Sequence, residues 1–193
     1  MKTRSGYTLL LLGALSVMAA CKKDSSEDTP PPPATNESEV ITTLVLTFVD
    51  AENADSIYTL RFSDPDGDGG AAPTITSDAL PASRAYTVSV AVLNESVSPA
   101  ANITAEIQAE DEAHQFFYQV AGANLTMTYA DSDGNGKPVG LITTGVTGAA
   151  SSGTLKVTLR HQPDKNGANV SAGDITNAGG ETDIEVTFPV TVQ

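Results

Sequence analysis

The chain has 193 residues with a formal net charge of -14, one cysteine and no tryptophan. An acidity of this size repels nucleic acid and anionic lipid headgroups, so the fitting partners are cations, basic surfaces or neutral ligands. A lone cysteine, Cys21, excludes an internal disulfide, and its position at the end of a leader removes thiol catalysis and cysteine metal sites as well.

Lys2 and Arg4 precede an apolar run from Leu9 to Ala20 that ends in small residues. This is signal-peptide anatomy over residues 1–20, too short for a permanent membrane span. Met18-Ala19-Ala20-Cys21 resembles a bacterial lipoprotein cleavage box. The resemblance implies acylation of Cys21 and anchoring through it. Without residues 1–20, 8 basic residues face 24 acidic ones. Residues 21–38 follow as a lipid-anchored stalk. Lys22 to Ser38 lacks large apolar residues and contains Pro30 to Pro33, a composition that favours disorder with a stiff polyproline II stretch. Cys21-Lys22-Lys23-Asp24, followed by Glu27 and Asp28, resembles acidic signals that send some lipoproteins to the outer cell surface. The plainer alternative is a polar linker on a periplasm-facing lipoprotein.

Residues 39–193 are expected to form one mainly β domain. Period-two alternation predicts strands at Leu44–Val49, Ile57–Phe62, Ala85–Leu93, Phe116–Val120, Asn124–Ala130, Val139–Thr144, Thr154–Arg160 and Ile184–Val192, with a weaker one at Thr74–Ser77. Pro189 places the last strand at an edge or a bulge. At an offset of 67, residues 59–92 lie over 126–159 without gaps, pairing Thr59-Leu60-Arg61-Phe62 with Thr126-Met127-Thr128-Tyr129. A duplicated β unit folded as an antiparallel, immunoglobulin-like β-sandwich follows from this pattern. Between the copies, Pro99–His114 predicts one short connecting helix, with Asn102 as N-cap and Ile103 and Ile107 on its buried face.

The repeat carries two Asp-Gly loops. Asp64, Asp66 and Asp68 alternate before Gly69, and Asp131, Asp133 and Asn135 alternate before Gly136. Alternate oxygen ligands resemble the first half of a calcium loop. The twelfth positions, Ile75 and Ile142, lack the bidentate acid that such a loop needs. An ordinary hairpin turn is the competing reading.

Only two histidines are present. On a helix over 102–114, Glu106, Glu110 and His114 would share one face at i,i+4 spacing. Carboxylates and imidazole so spaced can chelate a transition metal such as zinc, with His161 joining if the helix packs against that end. The competing reading is an exposed acidic face with a solvated histidine. Catalysis has little to draw on: no Gly-x-Ser-x-Gly elbow is present. Abundant acids leave a paired-carboxylate hydrolase as a third reading. Without tryptophan, a sugar site would depend on Phe116, Phe117 or Tyr118, of which at least one is expected in the core.

Glu39-Val40-Ile41-Thr42-Thr43, Glu110-Asp111-Glu112-Ala113-His114-Gln115 and Gly179-Gly180-Glu181-Thr182-Asp183-Ile184 resemble a family of small acidic bacterial outer-membrane lipoproteins. That family has no established activity. Some members carry the label of a type 1 periplasmic binding fold, which implies two α/β lobes in a longer chain, and the strand pattern here does not support it. The expectation is a non-catalytic outer-membrane lipoprotein, exposed at the cell surface, that binds a ligand or serves as an accessory module contacting a membrane partner. The structural alternative is a scaffold that bridges an outer-membrane protein partner.

Overall fold

A computed structural model describes residues 40–67 and 69–193. The leader, Cys21, the stalk and Asp68 lie outside the described residues. Among the described residues nine strands form: β1 (Thr43–Asp50), β2 (Ile57–Ser63), β3 (Thr74–Ser77), β4 (Ala85–Leu93), β5 (His114–Ala121), β6 (Leu125–Tyr129), β7 (Ile142–Thr147), β8 (Ser151–His161) and β9 (Glu181–Val192). One helix, α1 (Ile103–Ala109), joins β4 to β5 by way of a 3-10 turn at Asp111–Ala113. Among the described residues no helix is long and apolar enough to cross a membrane.

The strands make two antiparallel sheets in the orders β3-β2-β1-β4-β7-β6 and β5-β8-β9. Their inner faces share one core, and the fold is the β-sandwich that the alternation predicts. Leu44, Leu46 and Phe48 of β1 point inward with Val88, Val90 and Val92 of β4. Leu155, Val157 and Leu159 of β8 and Val186, Phe188 and Val190 of β9 supply the other layer. Phe48 and Tyr86 meet edge to face at 5.8 Å, and Tyr58 meets Tyr86 at 6.0 Å. Pro189 is exposed on β9, an edge strand of the smaller sheet, where its missing N–H breaks no ladder bond to an outer neighbour.

The segments aligned at an offset of 67 are used differently in space. Both contribute a hairpin to the large sheet, β2–β3 and β6–β7. Arg61 faces Thr76 in the first hairpin, whereas Thr128 faces Thr144 in the second, one residue beyond the aligned position. The third strands part company. β4 stays in the large sheet between β1 and β7, and β8 crosses to the small sheet between β5 and β9.

Two expected boundaries move. The strand expected at Val139–Thr144 is found at Ile142–Thr147. The Asp131 carboxylate accepts the Gly140 and Ile142 amides at 2.8 and 2.9 Å, and Gly140 takes φ +88°. Val139 O instead accepts from Phe116 N in β5, and Leu141 O from Val90 N in β4. The helix expected through His114 stops at Ala109. Asn102 caps it as anticipated, its side chain accepting from Ala105 N at 3.3 Å, and Ile103 and Ile107 are buried. Thr104 anchors it to β4: its hydroxyl accepts from Val92 N at 2.7 Å and donates to Val92 O at 3.1 Å. The helix thereby continues the hydrogen bonding of β4 past the point where β7 begins.

The first half of β5, His114 to Phe117, is buried on both faces. Phe116 enters the sandwich core, and Phe117 points the other way into a small cluster with Val170 and Ala178. That cluster belongs to the β8–β9 connection at residues 162–180, which contains 3-10 turns at Val170–Ala172 and Ile175–Asn177 and lies over the outer face of β5.

Candidate metal centre

His114 opens β5 with extended backbone, φ -126° and ψ 146°, so it does not share a helix face with Glu106 and Glu110. The expected i,i+4 column is therefore absent, and Glu106 stays on the exposed side of α1, outside the site. Glu110, His114 and His161 nevertheless converge by a different route. His161 ends β8 directly across the ladder from His114. Cross-strand neighbours sit close enough for side-chain contact, and the two imidazoles stack at 4.8 Å with their planes 13° apart. Glu110 caps the end of α1 one turn earlier. The ligand atoms of these three side chains lie within 4.8 Å of one another.

Burial and tautomer shape the site. His114 is only 2% exposed, whereas Glu110 is exposed and His161 is half-buried. His114 Nδ1 lies 3.0 Å from the Glu110 carbonyl oxygen. A carbonyl only accepts, so Nδ1 carries the proton, and a neutral ring then presents its lone pair at Nε2. That nitrogen faces Asp183 Oδ2 at 4.0 Å. Burial pushes the Asp183 carboxyl above its ordinary value, opposed by His114 and His161 and reinforced by Glu181. Gly180, at φ +69°, lets β9 begin close to this corner: a Cβ there would lie 2.3 Å from the His161 carbonyl oxygen.

The Asp-Gly loops are built otherwise. In the second, both oxygens of Asp131 accept backbone amides, as described above. Asp133 Oδ1 accepts from Asn135 N and Lys137 N at 2.9 and 2.8 Å, and its Oδ2 accepts from Lys165 Nζ at 2.9 Å. Burial works to raise the Asp133 carboxyl, but Lys165 and the Lys137 and Asn135 amides outweigh it and hold it below its ordinary value. The cation that Asp133 gathers is the protein's own Lys165 ammonium. Asn135 is exposed and contributes its backbone to the turn. In the first loop, Asp66 Oδ2 accepts from Ala71 N at 2.7 Å, which lowers its pKa, while the buried Asp64 Oδ1 has no hydrogen-bond partner.

Lys165 also ties this loop to the histidines. Its ammonium donates to the Asp111 carbonyl oxygen at 2.6 Å, and Gln162 N donates to the Ala113 carbonyl oxygen at 2.6 Å. The turn that delivers His114 is thus held by the 162–180 connection on its far side. Sequence reasoning missed Lys165 because Asp164-Lys165-Asn166-Gly167 has the look of a solvated turn. It also missed Asp183, whose neighbours give no periodicity. Known protein families, characterised proteins and solved structures provide no match to this chain.

Proposed function

We propose that the chain is a lipid-anchored, non-catalytic envelope protein whose β-sandwich binds a divalent transition-metal ion of the zinc type. The observation that carries the reading is the convergence of Glu110, His114 and His161 at one end of the small sheet. Two imidazoles and a carboxylate suit zinc and its neighbours, whereas calcium takes oxygen ligands. The Asp-Gly loops, whose described carboxylates mostly engage protein donors, fit structural turns. The leader ending at Cys21 and the acidic, proline-bearing stalk support outer-membrane anchoring with display at the surface, as in the small acidic lipoproteins that the sequence resembles.

Two outcomes are expected. Zinc added to the chelator-treated domain at 100 times its dissociation constant should stabilise it by about 2.7 kcal/mol in thermal melting. The gain should shrink in acid as the imidazoles protonate, and His114→Ala should abolish it. Calcium should shift melting little. A domain indifferent to zinc would eliminate the metal reading. Separately, Cys21→Ser should move the protein from the membrane fraction to the soluble fraction; retention would show a different anchor.

A further inference from the structure

The β8–β9 ladder is regular from Ser151 to Leu159, where Leu159 faces Ile184. The next residue, Arg160, faces Thr182, so Asp183 is an extra residue inserted into β9. Such a bulge re-aims a side chain that regular pleating would send elsewhere, and bulges concentrate beside functional sites. Here it accompanies a carboxylate that faces His114. The Asp183 side chain is 4% exposed, and its Oδ2 is buried without a hydrogen-bond partner.

We infer that Asp183 is the fourth ligand of the metal site, closing it around a structural ion. The inference rests on reading Glu110, His114 and His161 as a zinc-type site. Its physical basis is a mismatch between two facing side chains. With Nδ1 donating to the Glu110 carbonyl, neutral His114 turns a lone pair toward Asp183 Oδ2, which is itself an acceptor. A bound cation would satisfy both of these acceptors, which lie 4.0 Å apart. Zinc bonds of about 2.0–2.2 Å on a tetrahedron place donors about 3.4 Å apart, so the His114–Asp183 pair has little to close, while Asp183 must move in from outside the 4.8 Å group that Glu110, His114 and His161 form. Charge points the same way. Two carboxylates and two neutral imidazoles neutralise a divalent ion, where the triad alone would leave a positive charge at a partly buried corner. Four protein ligands also leave no position for water or substrate, the arrangement of a structural zinc rather than a catalytic one.

The test uses zinc and cobalt on the whole domain. Zinc affinity is measured by chelator competition in wild type, Asp183→Asn and Glu112→Gln, the last removing an exposed nearby charge. Asp183→Asn should weaken zinc about 100-fold or more, beyond the usual loss for a residue that merely orients a ligand. Glu112→Gln should change it less than about threefold, since an exposed charge is screened. The visible spectrum of the cobalt-loaded wild type should ignore added azide, because no coordination position is open, whereas cobalt-loaded Asp183→Asn should respond. A wild type that binds zinc, with Asp183→Asn binding equally well, would overturn the fourth ligand and leave the triad standing. An azide-sensitive wild-type spectrum would also overturn the closed site, and that arm does not depend on the variant folding. A wild type that binds no zinc would remove both readings.

Discussion

Lys165→Met is expected to cost about 3–5 kcal/mol of stability, the penalty for removing one partner of a buried ion pair. Lys165 is 6% exposed, and the Asp133 side chain it meets is 1% exposed. Loss of the ammonium strands a buried carboxylate and the Asp111 carbonyl oxygen together. Replacing Asp133 with leucine as well should recover only part of the loss, because the Asn135 and Lys137 amides would then lose their acceptor. Acid should bring the two proteins closer together. In the wild type the Asp133 carboxyl titrates below its unfolded value, so its contribution is complete above that value and fades as pH falls through the lower, folded one. Without Lys165 the carboxyl loses two of the interactions that hold it down and titrates higher than in the wild type, so protonation relieves the stranded charge sooner. The stability gap between the two proteins should therefore narrow as pH falls. Urea unfolding at neutral pH and near pH 4 measures both effects, and a gap that widens in acid would contradict this account.

Phe117→Ala should cost a similar amount, about 3–5 kcal/mol, by leaving a cavity where the ring was. The location matters more than the size. Phe117 is fully buried against Val170 and Ala178, with Ile175 beside them, and so holds down the 162–180 connection. The variant should be cut there by protease at concentrations that spare the wild type. Phe116→Ala should be comparably unstable to urea, yet keep this segment protected, because Phe116 faces the sandwich core instead. Phe117→Ala and Lys165→Met release the same segment from two attachment points. Their combined cost should fall short of additivity, as for residues coupled through shared structure. Equal proteolysis of the two phenylalanine variants would show that Phe117 has no special hold on the connection.

What could be read in advance follows the range of the forces involved. Leu44, Leu46 and Phe48 on one face and Val45, Thr47 and Val49 on the other identify a strand by a local two-residue period, although both faces read as apolar and only the first is fully buried. The Asn102 cap and the Ile103/Ile107 spacing locate the start of α1 for the same reason. Its end was hidden: nothing local stops a helix at Ala109, and His114 turns extended because β8 pairs with it. The shift of β7 to Ile142 depends on the Asp131 carboxylate capturing two amides about ten residues onward. The candidate site shows the same division. Glu110, His114 and His161 are visible as residue types, but their meeting is set by strand register. Asp183 and Lys165 became visible only through a bulge and a buried contact between distant segments.

The route by which His114 meets His161 has a further consequence, for time rather than for energy. β6 and β7 lie between β5 and β8 in the chain, yet they leave for the other sheet, so β5 and β8 find each other across a long loop. Sandwiches dominated by such pairings fold in milliseconds to seconds, because the loop must close before the contact rewards it. The unfolded chain keeps the two imidazoles apart, and a captured ion would arrive after the sheet has assembled. It would then slow the parting of β5 from β8 while leaving the speed of their first meeting unchanged, since interactions formed after the folding barrier act on the rate of opening.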